Sequence, residues 1–404
     1  MTLATRLPVP RPGTLQGPRR AWLDQLTQAP RRYLVDNART ALFQALRLLG
    51  REGARRVLLP AYHCGIEVES VLAAGYTPAF YDVNDSLRPD PAELRRLLVS
   101  DAAALVLTHF NGFPQPVLEA RDLCRDLGVP LIEDCAHVLR SALPEGLLGS
   151  FGDAAVFSPR KHLPVVSGGV LAINRVAAGP APSIAPGGPR LTARDARSLL
   201  RQWVPRPRTG LTPPEGAPPV GDAEVRDFRQ SRYDLGMSAV TRRALERQDI
   251  PAAVEARRRN YARLCLRLQG LDGLRALCGP LSAGTCPMFC LVEVEDPWSL
   301  HRWLWREGVE TYVFWSSFHR CFPREEHPTA LRLKTHVLAL PIHQQLAPEV
   351  VDAVADRVAG YFSQGGSRLQ AGAAAPAAYS EPVAARATHG VQGPHESRGL
   401  GGRS

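Results

Sequence analysis

Leu131-Ile132-Glu133-Asp134-Cys135-Ala136-His137 and, one loop later, Ala154-Ala155-Val156-Phe157-Ser158-Pro159-Arg160-Lys161 are the two stretches that decide the fold. Each is a short apolar string that stops abruptly on polar, reactive residues. Such strings read as buried strands. Open α/β sheets place their ligands beyond the carboxyl ends of their strands, which is where these patterns put Asp134 and Lys161.

Outward from these two strings, short apolar runs alternate with amphipathic ones. Strands are expected at Arg56–Pro60, Pro78–Val83, Ala103–Thr108 and Val170–Ile173. Helices are expected from Asn37 onward, at Glu67–Ala74 before Gly75, at Pro91–Leu98, and at Val117–Leu127 before Gly128. The alternation predicts an α/β fold, a mostly parallel sheet between helices. Residues 1–20 read as a flexible arm and 21–240 as a large domain. A Pro/Gly-rich insertion over about 176–222 carries one helical island, Leu191 to Trp203. Residues 241–362 read as a smaller C-terminal α/β domain. Its helical stretch begins at Met237 and runs to Leu268, followed by a strand at Pro287–Val294, a helix over 297–308, a strand at His336–Pro341 and a last helix at Pro348–Tyr361. Residues 363–404 are rich in Gly, Ala, Ser and Pro, too poor in apolar side chains to offset their ordering entropy, and are expected to be disordered.

The chain has 404 residues, more than a single core usually serves, and its hydrophobic fraction of 45% is ordinary for a globular protein. The formal charge is +10, mostly from scattered Arg. No basic run is interleaved with aromatics, so the charge reads first as an Arg-for-Lys habit of composition, next as fitting an anionic small substrate, and least as nucleic-acid binding. None of the eight Cys forms a CxxC pair, and no zinc-site spacing appears; no metal is expected. No signal-length or membrane-length apolar run occurs, so a cytoplasmic protein without membrane contact is expected.

Alone, Asp134 reads as a helix cap and Lys161 as a solvated lysine. Their order is what matters: a carboxylate at one strand end, then Ser158, then Lys161 just past the next strand. Pyridoxal 5′-phosphate (PLP) needs an amine for a Schiff base, a carboxylate against its pyridine nitrogen, and donors for its phosphate. The string supplies all three.

Further strings agree in order. Leu59-Pro60-Ala61-Tyr62-His63-Cys64, Ala74-Gly75-Tyr76-Thr77-Pro78-Ala79-Phe80-Tyr81-Asp82-Val83, His109-Phe110-Asn111-Gly112, Ile132-Glu133-Asp134-Cys135-Ala136-His137, Gly149-Ser150-Phe151-Gly152-Asp153 and Leu338-Ala339-Leu340-Pro341-Ile342-His343 resemble motifs of the DegT/DnrJ/StrS family of PLP-dependent sugar aminotransferases, of fold type I. The resemblance implies that Lys161 is the Schiff-base lysine and Asp134 the partner of the ring nitrogen. It implies that His137 stands near the ring hydroxyl, that Ser158 and the backbone at Ala38 and Arg39 bind phosphate, and that His63 or Cys64 covers the ring. It further implies a homodimer that moves an amino group from an amino acid such as glutamate to a keto group on a nucleotide-linked sugar. Three features depart from the family pattern: the short Ser158–Lys161 spacing, Val166-Ser167-Gly168-Gly169, and Asp234-Leu235-Gly236-Met237-Ser238, where the family's Asn and Arg are replaced. Two alternatives stay open: a dehydratase, although dehydrating relatives carry His where Lys161 stands, and a non-catalytic PLP-fold regulator.

Overall fold

A computed structural model describes residues 3–5, 7–10, 18–175, 181–188 and 233–367. The helical island at Leu191–Trp203, most of the 176–222 insertion and the tail beyond 367 lie outside the described residues.

The large sheet has seven strands, β1 (Arg31–Val35), β2 (Arg56–Pro60), β3 (Thr77–Tyr81), β4 (Ala102–Thr108), β5 (Leu131–Cys135), β8 (Ala154–Phe157) and β9 (Gly169–Ile173), in the order β1-β9-β8-β5-β4-β2-β3. Pairings from β3 through β8 are parallel, and β9 is antiparallel to both β8 and β1. Six strands therefore run one way and β9 alone opposes them. A two-residue hairpin, β6 (Ala142–Leu143) with β7 (Gly146–Leu147), sits between β5 and β8.

Five helices flank this part: α1 (Trp22–Leu26), α2 (Ala38–Leu49), α3 (Ile66–Ala73), α4 (Pro91–Val99) and α5 (Val117–Leu127). Helix α2 forms because Ala41, Leu42, Ala45, Leu46 and Leu49 fall on one buried stripe, and because Asn37 caps it by accepting the Thr40 N–H. Gly128, at φ +64, ends α5 in the left-handed conformation that favours glycine.

The expected helix from Met237 to Leu268 is two. Helix α6 (Ala239–Leu245) stops, and α7 (Ile250–Leu268) restarts with Asp249 accepting the Ala252 N–H and Pro251 in its first turn. The remaining helices are α8 (Pro297–Arg306), α9 (Pro328–His336) and α10 (Pro348–Ser363). Strands β10 (Leu274–Ala276), β11 (Cys290–Val294), β12 (Tyr312–Val313) and β13 (Val337–Leu340) form a second, antiparallel sheet in the order β10-β11-β13-β12.

That sheet is buried on both faces. Alternate residues of β11 and β13, namely Val292, Val294, Leu338 and Leu340, pack under α7, α8 and α10. Their neighbours Leu291, Val337 and Ala339 join the core of the large sheet. The period of two along a strand produces this division, and it explains why β13 reads as an unbroken apolar string and β11 as one interrupted only by Glu293.

The described part of the N-terminal segment is docked, not loose. The Leu3 N–H donates to Gly308 O at 2.8 Å, Thr5 Oγ1 lies 3.0 Å from His343 Nε2, and the Val9 N–H donates to Gln345 Oε1 at 2.9 Å. Reading a Pro- and Arg-rich composition as a flexible arm misses these backbone partners. Among the described residues no helix is long and apolar enough to cross a membrane.

Candidate functional site

The carboxyl ends of β1, β5 and β8 and the amino end of the opposed β9 meet at one edge of the sheet. This edge holds the turn from Val35 into α2, Asp134, Ser158, Lys161 and Gly169. Asn37, Ala38, Arg39, Cys64, Glu67, Asp134, Ser158 and Lys161 line one hollow there. Of the residues read from the sequence, the fold thus brings together Lys161, Asp134, Ser158, Ala38 and Arg39.

Glu133 and Asp134 point to opposite tasks because neighbouring strand residues face opposite ways. Glu133 is fully buried and builds the loop that follows. Its Oε2 accepts the Gly149 N–H, and its Oε1 accepts the Phe151 and Gly152 N–H groups, all at 2.7 Å. His109 Nε2 lies 2.9 Å from the same carboxylate. Cys135 lies close to this pair, but Glu133's oxygens are already taken up by these donors, so the trio works as a strut under the loop. Asp134 faces the hollow, its Oδ1 accepting the Ala136 N–H at 2.9 Å. Burial, and then Glu67, push its carboxyl up to about 6 against the downward pull of Lys161.

Lys161 closes a short 3-10 turn, Pro159–Lys161, that follows β8 directly. Its N–H donates to Ser158 O at 3.0 Å. Opposite it stands the N-terminus of α2. The first N–H groups of a helix have no intrahelical acceptor and favour an anion. Gly169 makes room for this approach: a Cβ there would lie 2.3 Å from Asn37 C and 2.7 Å from Ala38 N. A helix N-terminus, a serine, a lysine and a carboxylate around one hollow suit PLP's phosphate, aldehyde and ring nitrogen.

Two expected positions differ. His63 does not line the hollow. Its Nδ1 lies 3.0 Å from Pro60 O, and its ring stacks on Phe80 at 5.1 Å, against Phe322. The side chain turned to the hollow is Cys64, whose thiol donates to Glu67 Oε2 at 2.9 Å. A one-residue difference in register at the end of a strand reverses the facing of a side chain, and that decides between the two. His137 is buried beside the hollow but is not part of its lining. Its Nδ1 accepts the Asn111 N–H at 3.2 Å, and its ring lies 5.0 Å from Trp315. Burial, with Lys161 and His162 adding to it, lowers its pKa well below the ordinary value, so it is neutral.

Sequence reasoning misses Glu67; its position in the first turn of α3, just after the loop that leaves β2, is the available signal. The string at Asp234–Ser238 runs beside β1, with the Asp36 N–H donating to Leu235 O at 2.9 Å and the Met237 N–H to Leu34 O at 3.1 Å. The Met237 and Thr241 side chains lie against Gly168.

Comparisons agree with this geometry. The chain is 29% identical over 135 residues to the GDP-perosamine synthase of Vibrio cholerae, covering 33% of this chain and 37% of that protein. It is 30% identical over 125 residues to the dTDP-4-dehydro-2,3,6-trideoxy-D-glucose 4-aminotransferase of Saccharopolyspora spinosa, covering 31% and 32%. The matched stretch thus spans about a third of these relatives' length. Among solved structures, the aminotransferase TlmJ of Streptoalloteichus hindustanus superposes with a TM-score of 0.65 at 22% identity, over 90% of this chain and 99% of that one. The aminotransferase PseC of Helicobacter pylori gives 0.64 at 14% identity, over 90% and 100%. These structures establish the fold as that of the fold type I aminotransferases. Residues 25–177, which hold every side chain of the hollow, match the model of the DegT/DnrJ/EryC1/StrS aminotransferase family.

Proposed function

We propose that this chain is a PLP-dependent aminotransferase that moves an amino group from an amino acid, glutamate by preference, to a keto group on a nucleotide-linked sugar. The observation that carries the reading is the convergence of Lys161, Asp134, Ser158 and the α2 N-terminus on one hollow at the carboxyl edge of the sheet. The acceptor class follows relatives named for dTDP- and UDP-linked dehydro sugars.

PLP supplies a carbonyl to carry the amino group and a ring to take up electron density. The protein's part is binding, orientation and proton handling. Ser158 and the first turn of α2 hold the phosphate. Asp134 keeps a proton on the ring nitrogen through a charge-assisted hydrogen bond. Placing a cationic nitrogen beside Asp134 favours its ionised form, reversing the upward push of burial. Lys161 Nζ would hold the cofactor's carbonyl carbon between turnovers and, once freed, would be the base that takes a proton from, or returns it to, the reacting carbon of the bound substrate. Neutral His137, behind the hollow, adds no competing cation. A two-fold homodimer in a reducing compartment completes the reading; the Cys residues are all free thiols in this structure.

The test is a single turnover of the cofactor-loaded chain with glutamate and no acceptor. About one equivalent of 2-oxoglutarate per chain, with loss of the visible absorbance and its return on adding a nucleotide-linked keto sugar, supports the reading. Loss of water from the sugar without 2-oxoglutarate points to a dehydratase, and no cofactor uptake to a non-catalytic protein.

A further inference from the structure

Arg257, on α7, has no exposed surface. Its Nη1 donates to Met288 O at 3.0 Å, its Nη2 to His162 O at 3.0 Å and its Nε to Gln344 Oε1 at 2.9 Å. Gln344 closes the figure by donating from its Nε2 to the same His162 O at 2.8 Å. Every acceptor of the guanidinium is neutral. Burial lowers its pKa to about 10, which leaves it cationic at neutral pH.

Burying a cation without a carboxylate is costly, and a well-packed Met or Leu would often serve stability as well or better. The arrangement calls for a use of the planar, multiply donating group. Its geometry supplies one. His162 is the residue after Lys161, and its carbonyl accepts from two side chains of the C-terminal part at once. The backbone hydrogen bonds inside the lysine turn are short-range: the Lys161 N–H to Ser158 O, and the His162 and Leu163 N–H groups to Pro159 O. The peptide that leaves His162, one residue past Lys161, is held from outside the turn, by α7 and by the segment after β13.

We propose that Arg257, together with Gln344, is a positioning residue for Lys161, holding the exit of the lysine turn through the His162 carbonyl and tying the lysine to the C-terminal sheet. The role rests on the reading of Lys161 given above. Losing the clasp lets the turn drift, and small displacements of a reacting group cost rate steeply.

The test compares Arg257→Met, Arg257→Lys and Gln344→Met with the parent chain. Two readouts are used: the rate at which added PLP becomes borohydride-fixed on Lys161, followed by peptide mass spectrometry, and amide hydrogen exchange of the segment 158–163 in the cofactor-free chain. Arg257→Met is expected to link PLP about tenfold or more slowly, on the scale of supporting-residue substitutions elsewhere. Gln344→Met should fall between it and the parent. Arg257→Lys, which can still donate to His162 O, should recover most of the rate. Exchange at 158–163 should quicken in the same order. Should Arg257→Met fail to fold, Gln344→Met and Arg257→Lys carry the comparison. Folded variants with parental linking rates and parental exchange overturn the proposal. A parent chain that fixes no PLP on Lys161 overturns the functional reading instead, and the exchange measurement then decides the clasp by itself.

Discussion

The side chain of Asn111 pairs with the backbone of Phe289 as a neighbouring strand would: its Nδ2 donates to Phe289 O at 2.9 Å, and its Oδ1 accepts the Phe289 N–H at 2.8 Å. Asn111 itself has φ +55, a conformation that Asn tolerates better than most residues. It joins the segment after β4 to the residue that leads into β11. Asn111→Ala leaves both Phe289 groups buried without partners and is expected to cost about 2–4 kcal/mol. Urea unfolding measures it.

Glu133 carries a comparable load. Its carboxylate accepts three loop N–H groups within the core. Glu133→Ala should destabilise the chain by about 3 kcal/mol or more, since hydrogen bonds to an ionised group are among the stronger ones. Hydrogen exchange should show the loss first at Gly149–Asp153.

Asp134 gives a pH signature in the cofactor-free chain. Burial and Glu67 raise its carboxyl from 3.8 to about 6. Between those values the folded state holds a proton that the unfolded state has released. Stability from this group is therefore full below about pH 4, falls as pH rises through 6, and is flat above that. Asp134→Asn removes this slope, so the variant should gain on the cofactor-free parent between pH 4 and 6. Unfolding titrations across that window measure it, and parallel curves for parent and variant would contradict the assignment.

Among the described residues, Lys334 is the other fully buried basic side chain. Its Nζ donates to the carbonyls of His63, of Trp315 at 3.1 Å and of Ser317 at 2.9 Å, and burial lowers its pKa to about 7. Lys334→Met strands three carbonyls and should cost about 3 kcal/mol. Because one of them belongs to the loop that presents Cys64, weaker PLP retention should accompany the loss in stability.

What was legible in the sequence follows from what short patterns encode. Asp134, Ser158 and Lys161 could be read because each ends or follows a buried strand, and strand ends face the ligand side of such a sheet. Ala38 and Arg39 were named through the family resemblance, and the Asn37-capped helix start that carries them is local. His63 could not be separated from Cys64, because the choice depends on how the chain leaves β2. Arg257 and Lys334 looked like any basic helix residue, since burial of a cation depends on carbonyls that lie far away in the chain. The docking of residues 3–10 was hidden for the same reason: its partners are at 308 and 343–345. Helix α9 and strand β10 were missed because their short polar-rich strings take their structure from tertiary neighbours.

Gly169 tests the approach of the α2 N-terminus. Gly169→Ala forces a methyl group into Asn37 and Ala38. PLP affinity should fall at least about tenfold, because the phosphate loses its aligned N–H groups. Titration followed by absorbance reads this, and an unchanged affinity would remove α2 from the phosphate site.

The central claim is that Lys161 carries the cofactor. The most direct measurement is to load the chain with PLP, reduce it with borohydride, digest it and locate the phosphopyridoxyl group by mass spectrometry. The account predicts one modified position, Lys161, and its disappearance, together with the visible absorbance, in Lys161→Ala. Labelling at Lys334, the one other lysine of the sequence, or an undiminished reducible adduct in Lys161→Ala would contradict it.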